Sequence, residues 1–278
     1  MHLLEKQTYY NNLKKARDHH REVGDQYTEI ANLLDTVLEK MNVSLAYDKQ
    51  VLAINNQTIC DKLKHQTLET RRSFIELNKF NDSDLEFLSG ALAGESSFNA
   101  PTLELFPGSG QFLEFALAAE PLYIADRFIE VCDSAAESLQ NNFYVDRRLR
   151  KYKVDYFSLR SLPQGVFKLV YCFNEFFFAD EKYILAWSKL VYNLLSEGGK
   201  FVFNFLPNDE PWAIGHNQRF EFSTIDQQMI ISELEKQGWE LEQVSIRQTK
   251  ASYIKVKKPG IPDDKLKIAG GIAEIIDL

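Results

Sequence analysis

Glu104, Gly108, Gly110 and Asp126 are the residues whose types and spacing suggest chemistry most directly. An apolar run, Thr102-Leu103-Glu104-Leu105-Phe106, holds one carboxylate and reads as a buried strand. Pro107-Gly108-Ser109-Gly110 follows as a tight turn, and Phe112-Leu113 begins an apolar helix. A strand, a glycine turn and a helix start in that order let the backbone approach a ligand closely and offer it free N–H groups. Sixteen residues after Gly110, the apolar run Leu122-Tyr123-Ile124-Ala125 ends in Asp126, an acid placed to take ribose hydroxyls. The chemistry suited to this set is the holding of a nucleoside-type ligand. A nicotinamide-binding corner uses the same physics, so the turn alone does not choose between them.

These residues need a sheet to position them, and the order of elements supplies one. Strands are expected at 102–106, 122–125, 152–156 and 167–173, with a further strand over Lys200–Phe205. Helices are expected between them at 111–119, 128–142 and 180–196, the last stopped by Gly198-Gly199. Thr224 is expected to cap a helix over 225–237, and strands at 239–248 and 251–257 close the pattern as a hairpin. Alternation of this kind makes an α/β, mostly parallel seven-stranded sheet with an antiparallel terminal hairpin.

Before Pro101 the chain reads as helical. Ala16, His20, Val23, Tyr27, Ile30, Leu34, Val37 and Met41 recur in steps of four and three, a heptad seam. The pattern loses phase at Asn42-Val43-Ser44, where a turn is expected before a second helix over 46–79. An antiparallel helical hairpin follows as the simplest arrangement. A short helix capped by Asp82 or Ser83 comes next. The expected organisation is a coiled-coil-like helical region at 1–95, a sheet domain at 96–258 and a tail at 259–278.

At this point the order of motifs over residues 100–258 resembles the class I S-adenosylmethionine-dependent methyltransferases, whose sheet is Rossmann-like. The resemblance implies S-adenosylmethionine as cofactor. Glu104, Gly108 and Gly110 match the family's first motif, with Phe106 standing where the family usually has another glycine. Only glycine readily takes positive φ, so Phe106 restricts how the turn can fold beneath a cofactor. Asp126 matches the acid that holds the ribose hydroxyls. Asp155 and Tyr156 sit where the family binds the adenine amine and covers the ring. Phe173, Asn174 and Glu175 end the fourth strand, where the family lines the methyl-transfer site.

A sulfonium methyl group is already activated, so the protein mainly aligns the nucleophile and excludes water. Asn174 and Glu175 are the candidate polar groups for that task, with capping of the following loop as the alternative. Phe176, Phe177 and Phe178 either wall an apolar acceptor pocket or belong to the core. The long segment 206–220 suggests a functional loop, in which His216 is a candidate base and Trp212 and Arg219 candidate acceptor contacts.

Composition bounds the partners. A net charge of −8 argues against a general affinity for nucleic acid. His19 and His20 point to different helix faces and lack a partner at ligand spacing, so no metal site is expected. Three widely spaced cysteines fit neither a disulfide framework nor a zinc site, which suggests a reducing compartment. No apolar run approaches the ~20 residues that span a bilayer, and the first residues lack the order of a signal peptide. The expectation is a cytoplasmic methyltransferase of a small-molecule or protein acceptor, its helices serving oligomerisation or partner docking. The rival expectation is a catalytically inactive protein of the same fold with an assembly role.

Overall fold

The computed structural model describes residues 3–23, 28–77, 79–139, 148–155, 158–218, 222–247 and 249–260. Four helices come first: α1 (Leu3–Val23), α2 (Thr28–Lys64), α3 (Leu68–Leu77) and α4 (Asp82–Leu92). The sheet unit then runs β1 (Thr102–Leu105), a 3-10 turn (Leu113–Ala116), β2 (Leu122–Asp126), α5 (Ile129–Glu137), β3 (Leu149–Lys153) and β4 (Phe167–Cys172). A second 3-10 turn (Phe176–Phe178), α6 (Glu181–Leu194), β5 (Leu195–Asn204), α7 (Pro211–Gln218), α8 (Gln227–Lys236), β6 (Glu240–Ser245) and β7 (Tyr253–Lys257) complete it.

The strands form one seven-stranded sheet in the order β3-β2-β1-β4-β5-β7-β6. β1 to β5 pair in parallel, and β7 runs antiparallel to both β5 and β6. Leu103, Leu105, Ile124, Leu169, Val170 and Phe201 are fully buried, as expected of central parallel strands covered on both faces. The order reverses between β1 and β4. In an open sheet, that reversal leaves a crevice at the carboxyl ends of the strands.

The seam expected to run as one helix from Ala16 to Met41 is divided between α1 and α2, and the helical region departs from the sequence expectation at two further places. No turn occurs at Asn42-Val43-Ser44, because α2 continues through them for 37 residues. The apolar pattern loses phase there because α2 changes partners. Its first half lies antiparallel to α1, tied by Lys6 to Ser44 and Asp48 and by Arg17 to Asp35. Its second half buries Leu52, Asn55, Asn56, Ile59, Cys60 and Leu63 at steps of three and four, and Ile59, Cys60 and Leu63 join the apolar core that includes the sheet. The second departure is a break after Lys64. Thr67 ends it by capping α3, accepting from the Thr70 N–H at 3.2 Å while the Thr67 N–H donates to Thr70 Oγ1 at 2.8 Å. This reciprocal cap starts a new helix three residues after the old one ends.

Smaller corrections follow the same logic. Asn81, rather than Asp82 or Ser83, caps α4 by accepting from the Asp84 N–H at 2.9 Å. Asp226, rather than Thr224, caps α8. Strand β3 starts earlier than expected, at Leu149, and ends before Asp155. The expected helix at 111–119 is only the short 3-10 turn. Gly198-Gly199 lies inside β5 at a register shift against β4 instead of ending α6. The tail from residue 261 lies outside the described residues.

Candidate active site

Three chain segments reach the crevice: the turn after β1, the end of β2, and the residues after β4. The turn is held by hydrogen bonds from the Phe106 N–H to Ala125 O at 2.8 Å and from the Gly110 N–H to Pro107 O at 2.9 Å. Both glycines are required, and the reason is close packing against the chain itself. A Cβ on Gly108 would lie 2.8 Å from Asn174 Cγ, and one on Gly110 would lie 2.6 Å from the Ala135 carbonyl. Both also have positive φ, at 59° and 80°.

Phe106 takes φ 58°, the left-handed region that an L side chain with a Cβ adopts at a cost of roughly 1–2 kcal/mol. Its ring is fully buried edge-on to Trp187, with centroids 5.0 Å apart. The guanidinium carbons of Arg127 and Arg71 lie 5.1 Å and 5.8 Å from the ring centroid. Thus the backbone keeps the glycine-like conformation, and the added side chain fills the space beneath two cations.

Asp126 ends β2 fully buried, and each of its carboxylate oxygens has a partner. Oδ1 accepts from the Phe128 N–H at 3.1 Å. Oδ2 accepts from Arg71 Nη2 at 3.0 Å. Arg71 stands in the first turn of α3 and is itself fully buried. Its Nη1 donates to Glu175 Oε2 at 2.7 Å. Glu175 Oε1 in turn accepts from the Tyr183 hydroxyl at 2.9 Å and pairs with Arg127 Nη2 at 2.8 Å. Two acids and two arginines therefore balance in charge, which lets them sit out of water together. Burial works against the charge of Arg71, and Asp126 and Glu175 more than offset it, leaving its pKa above the ordinary arginine value.

Glu104 lies deeper, in β1, where the Tyr171 hydroxyl donates to its Oε2 at 3.1 Å. Burial raises its pKa to about 8 against the lowering effect of that hydrogen bond. Phe173 is buried against Phe112 and Tyr171, with centroids 4.9 Å and 5.6 Å away. Asn174 donates to the Pro107 carbonyl at 3.3 Å, closing the turn against the end of β4.

The structure therefore brings Glu104, Phe106, Gly108, Gly110, Asp126, Phe173, Asn174 and Glu175 together toward the carboxyl edge of β1, β2 and β4, all but Asn174 of them buried. Asp155 is exposed beyond the end of β3, and Tyr156 lies outside the described residues. His216 is on α7, but its side chain, that of Trp212 and the whole of Arg219 lie outside the described residues. Phe176, Phe177 and Phe178 are core, packed on Phe203, Phe222 and Phe74 respectively. Sequence reasoning missed Arg71, Arg127 and Tyr183. The Thr67-to-Thr70 capping pattern was the available signal for Arg71, since it starts the helix that carries it.

No protein-family model matches the chain, and no curated protein matches it in sequence. Solved structures do match its fold. A magnesium protoporphyrin IX methyltransferase from Synechocystis PCC 6803 aligns at TM-score 0.54 and 12% identity, over 73% of this chain and 99% of that one. A geranyl diphosphate C-methyltransferase from Streptomyces coelicolor A3(2) aligns at 0.51 and 11%, over 74% and 98%. The mitomycin 7-O-methyltransferase MmcR aligns at 0.55 and 13%, over 76% and 67%. The fold is that of the class I methyltransferases.

That fold implies S-adenosylmethionine, and the crevice can be tested for it. In the described conformation the residues do not fit the nucleoside. Both oxygens of Asp126 are taken, one by Arg71 and one by the Phe128 N–H, and Gly108 makes its close approach to Asn174. A cleft of about 420 Å³ lies beside the turn, lined by Arg72, Glu76, Lys79, Gly108, Ser109 and Ser134 among others. Neither Asp126 nor Glu175 lines it. Among the described residues, no helix is long and apolar enough to cross a membrane.

Proposed function

We propose that this chain is an S-adenosylmethionine-dependent methyltransferase acting on a small-molecule acceptor, seen here with its cofactor crevice closed. The observation that carries the reading is the placement of Asp126 at the end of β2, beside the Gly108–Gly110 turn and next to the reversal of strand order. An acid at that point suits ribose hydroxyls once its oxygens are free. Glu104, Gly108, Gly110, Asp126 and Phe173 are assigned to the cofactor on this reading, together with Asp155 and Tyr156. Asn174, Glu175 and His216 are assigned to the acceptor side. The names of the structural neighbours point to small acceptors (a porphyrin, a prenyl diphosphate and mitomycin), which favours a small molecule over a protein.

Mass-spectrometric assay of methyl transfer from S-adenosylmethionine to pooled small hydroxyl and amine acceptors tests the activity. A methylated product that S-adenosylhomocysteine suppresses is the expected result. Phe106 favours a second reading, a non-catalytic protein of the same fold that binds a partner. Cofactor binding without any methylated product would favour that alternative.

On the same reading, residues 1–95 serve self-association or partner docking, 96–258 form the methyltransferase unit, and the protein works in the cytoplasm. Sedimentation velocity of the full chain checks the self-association. A single monomeric species at micromolar protein would reject it.

A further inference from the structure

The disagreement between the crevice and its expected ligand has one main source, Arg71. We propose that Arg71 is an internal latch, a side chain of α3 that occupies the ribose position on Asp126 and must withdraw before the cofactor binds. The proposal rests on the S-adenosylmethionine reading and adds the regulation of that site.

The contact is built from both sides. The guanidinium is fully buried, bridges Asp126 at 3.0 Å and Glu175 at 2.7 Å, and lies over the Phe106 ring. A ribose hydroxyl and this guanidinium would compete for the same Asp126 oxygen. Neighbouring contacts hold the segment on the crevice. Phe74 packs on Phe178 with centroids 3.7 Å apart, and the Gln111 side chain accepts from the Phe80 N–H at 3.0 Å and donates to its carbonyl at 3.1 Å. The same glutamine follows Gly110, so the arm is tied directly to the glycine turn.

Other features distinguish a latch from permanent filling. Arg71 Nε is buried without a hydrogen-bond partner among the described residues, an unmet donor of the kind that native interiors rarely keep. The 420 Å³ cleft separates part of α3 from the turn and α5, so the helix is not packed on that side. The break at His65 to Thr67 makes α3 a separate helix from α2. A closed majority state lowers apparent cofactor affinity in proportion to the open fraction, and removing the latch restores it.

The test is calorimetric titration of S-adenosylhomocysteine into the full chain and into Arg71→Met, each checked for folding by circular dichroism. Hydrogen exchange of wild-type residues 68–77 is followed with and without the same ligand. The expected result is binding at least tenfold tighter in Arg71→Met, with faster exchange in 68–77 when the wild type is saturated. Equal or weaker binding by the variant, or unchanged or increased protection of 68–77, overturns the latch and leaves the cofactor reading intact. Binding by neither folded protein overturns both, and makes the arginine a permanent structural filling. A variant that cannot fold, beside a wild type that does not bind, likewise assigns Arg71 to structure and rejects the latch.

Discussion

Arg71 and Asp126 stand 55 positions apart in the chain and meet at 3.0 Å with no exposure to solvent. One comes from the helices that precede the sheet, the other from the end of β2. Their meeting ties the helical region to the crevice through charge as well as packing.

That relationship fixes a stability prediction. Asp126→Ala leaves the Arg71–Glu175–Arg127 group with an excess positive charge in the interior, and should cost about 3–5 kcal/mol. Arg71→Met with Asp126→Leu restores the balance, and should cost at least ~1 kcal/mol less than the two single changes summed. Chemical denaturation of wild type, Arg71→Met, Asp126→Leu and the double variant, with Asp126→Ala beside them, checks this. Strict additivity would mean that the two residues are not coupled.

Glu104 predicts a pH dependence. Its folded pKa of about 8 lies above its ordinary value, so the folded protein binds the extra proton between roughly pH 4.5 and 8. The stability this supplies is full below the unfolded pKa and is lost as pH rises through the folded one. Glu104→Gln mimics the protonated acid, so it should match wild type near pH 5 and exceed it by a few kcal/mol near pH 9. Thermal unfolding across that range, compared between the two proteins, checks the sign.

Phe106→Gly separates backbone from ring. Glycine relieves the left-handed strain by roughly 1–2 kcal/mol, while loss of a buried phenylalanine side chain costs about 3–5 kcal/mol. The variant should therefore be less stable by about 1–4 kcal/mol. If the latch holds, it should also bind S-adenosylhomocysteine more tightly, because both cations lose the ring beneath them. Urea denaturation with parallel calorimetry measures the two effects separately.

Asn56 is a buried polar link between α2 and the segment after β5. Its Nδ2 donates to the Thr224 carbonyl at 2.6 Å, and its Oδ1 accepts from Asn217 Nδ2 at 2.7 Å and from the Thr224 N–H at 3.0 Å. Asn56→Ala strands all three partners in the interior and should cost about 3 kcal/mol, with faster proteolysis between α2 and α7. Limited trypsin digestion and thermal melts check it. An unchanged digestion pattern would show that the apolar contacts alone hold α2 in place.

The sheet was legible because its determinants are local. The runs at Leu103, Leu122, Phe167 and Phe201 each carry their own strand signal, and glycine turns or acids mark their ends. The gathering of Glu104, Gly108, Gly110, Asp126 and Glu175 followed from that order, since carboxyl ends of neighbouring parallel strands share one edge. The occupant of the edge was not legible. Arg71 lies in a stretch, Leu-Glu-Thr-Arg-Arg-Ser, whose composition describes a solvated helix face. The cap at Thr67 sets where α3 starts, and with it the phase that buries Arg71 while Arg72 remains exposed. The phase slip at Asn42-Val43-Ser44 misled for the opposite reason. A change of packing partner along one continuous helix leaves the same trace in a sequence as a turn.

The choice of arginine at position 71 determines which solution conditions can loosen the crevice. A lysine there would lose its proton at alkaline pH and let go, and a histidine would do so near neutrality. Arginine keeps its charge throughout, and here its burial beside Asp126 and Glu175 holds that charge still more firmly. Added salt reaches such an enclosed contact poorly, because screening acts mainly on pairs exposed to water. Closure of this kind is deaf to rising pH and to moderate ionic strength. It answers instead to mechanical displacement of α3, or to a ligand whose hydroxyls and rings repay the loss of the guanidinium.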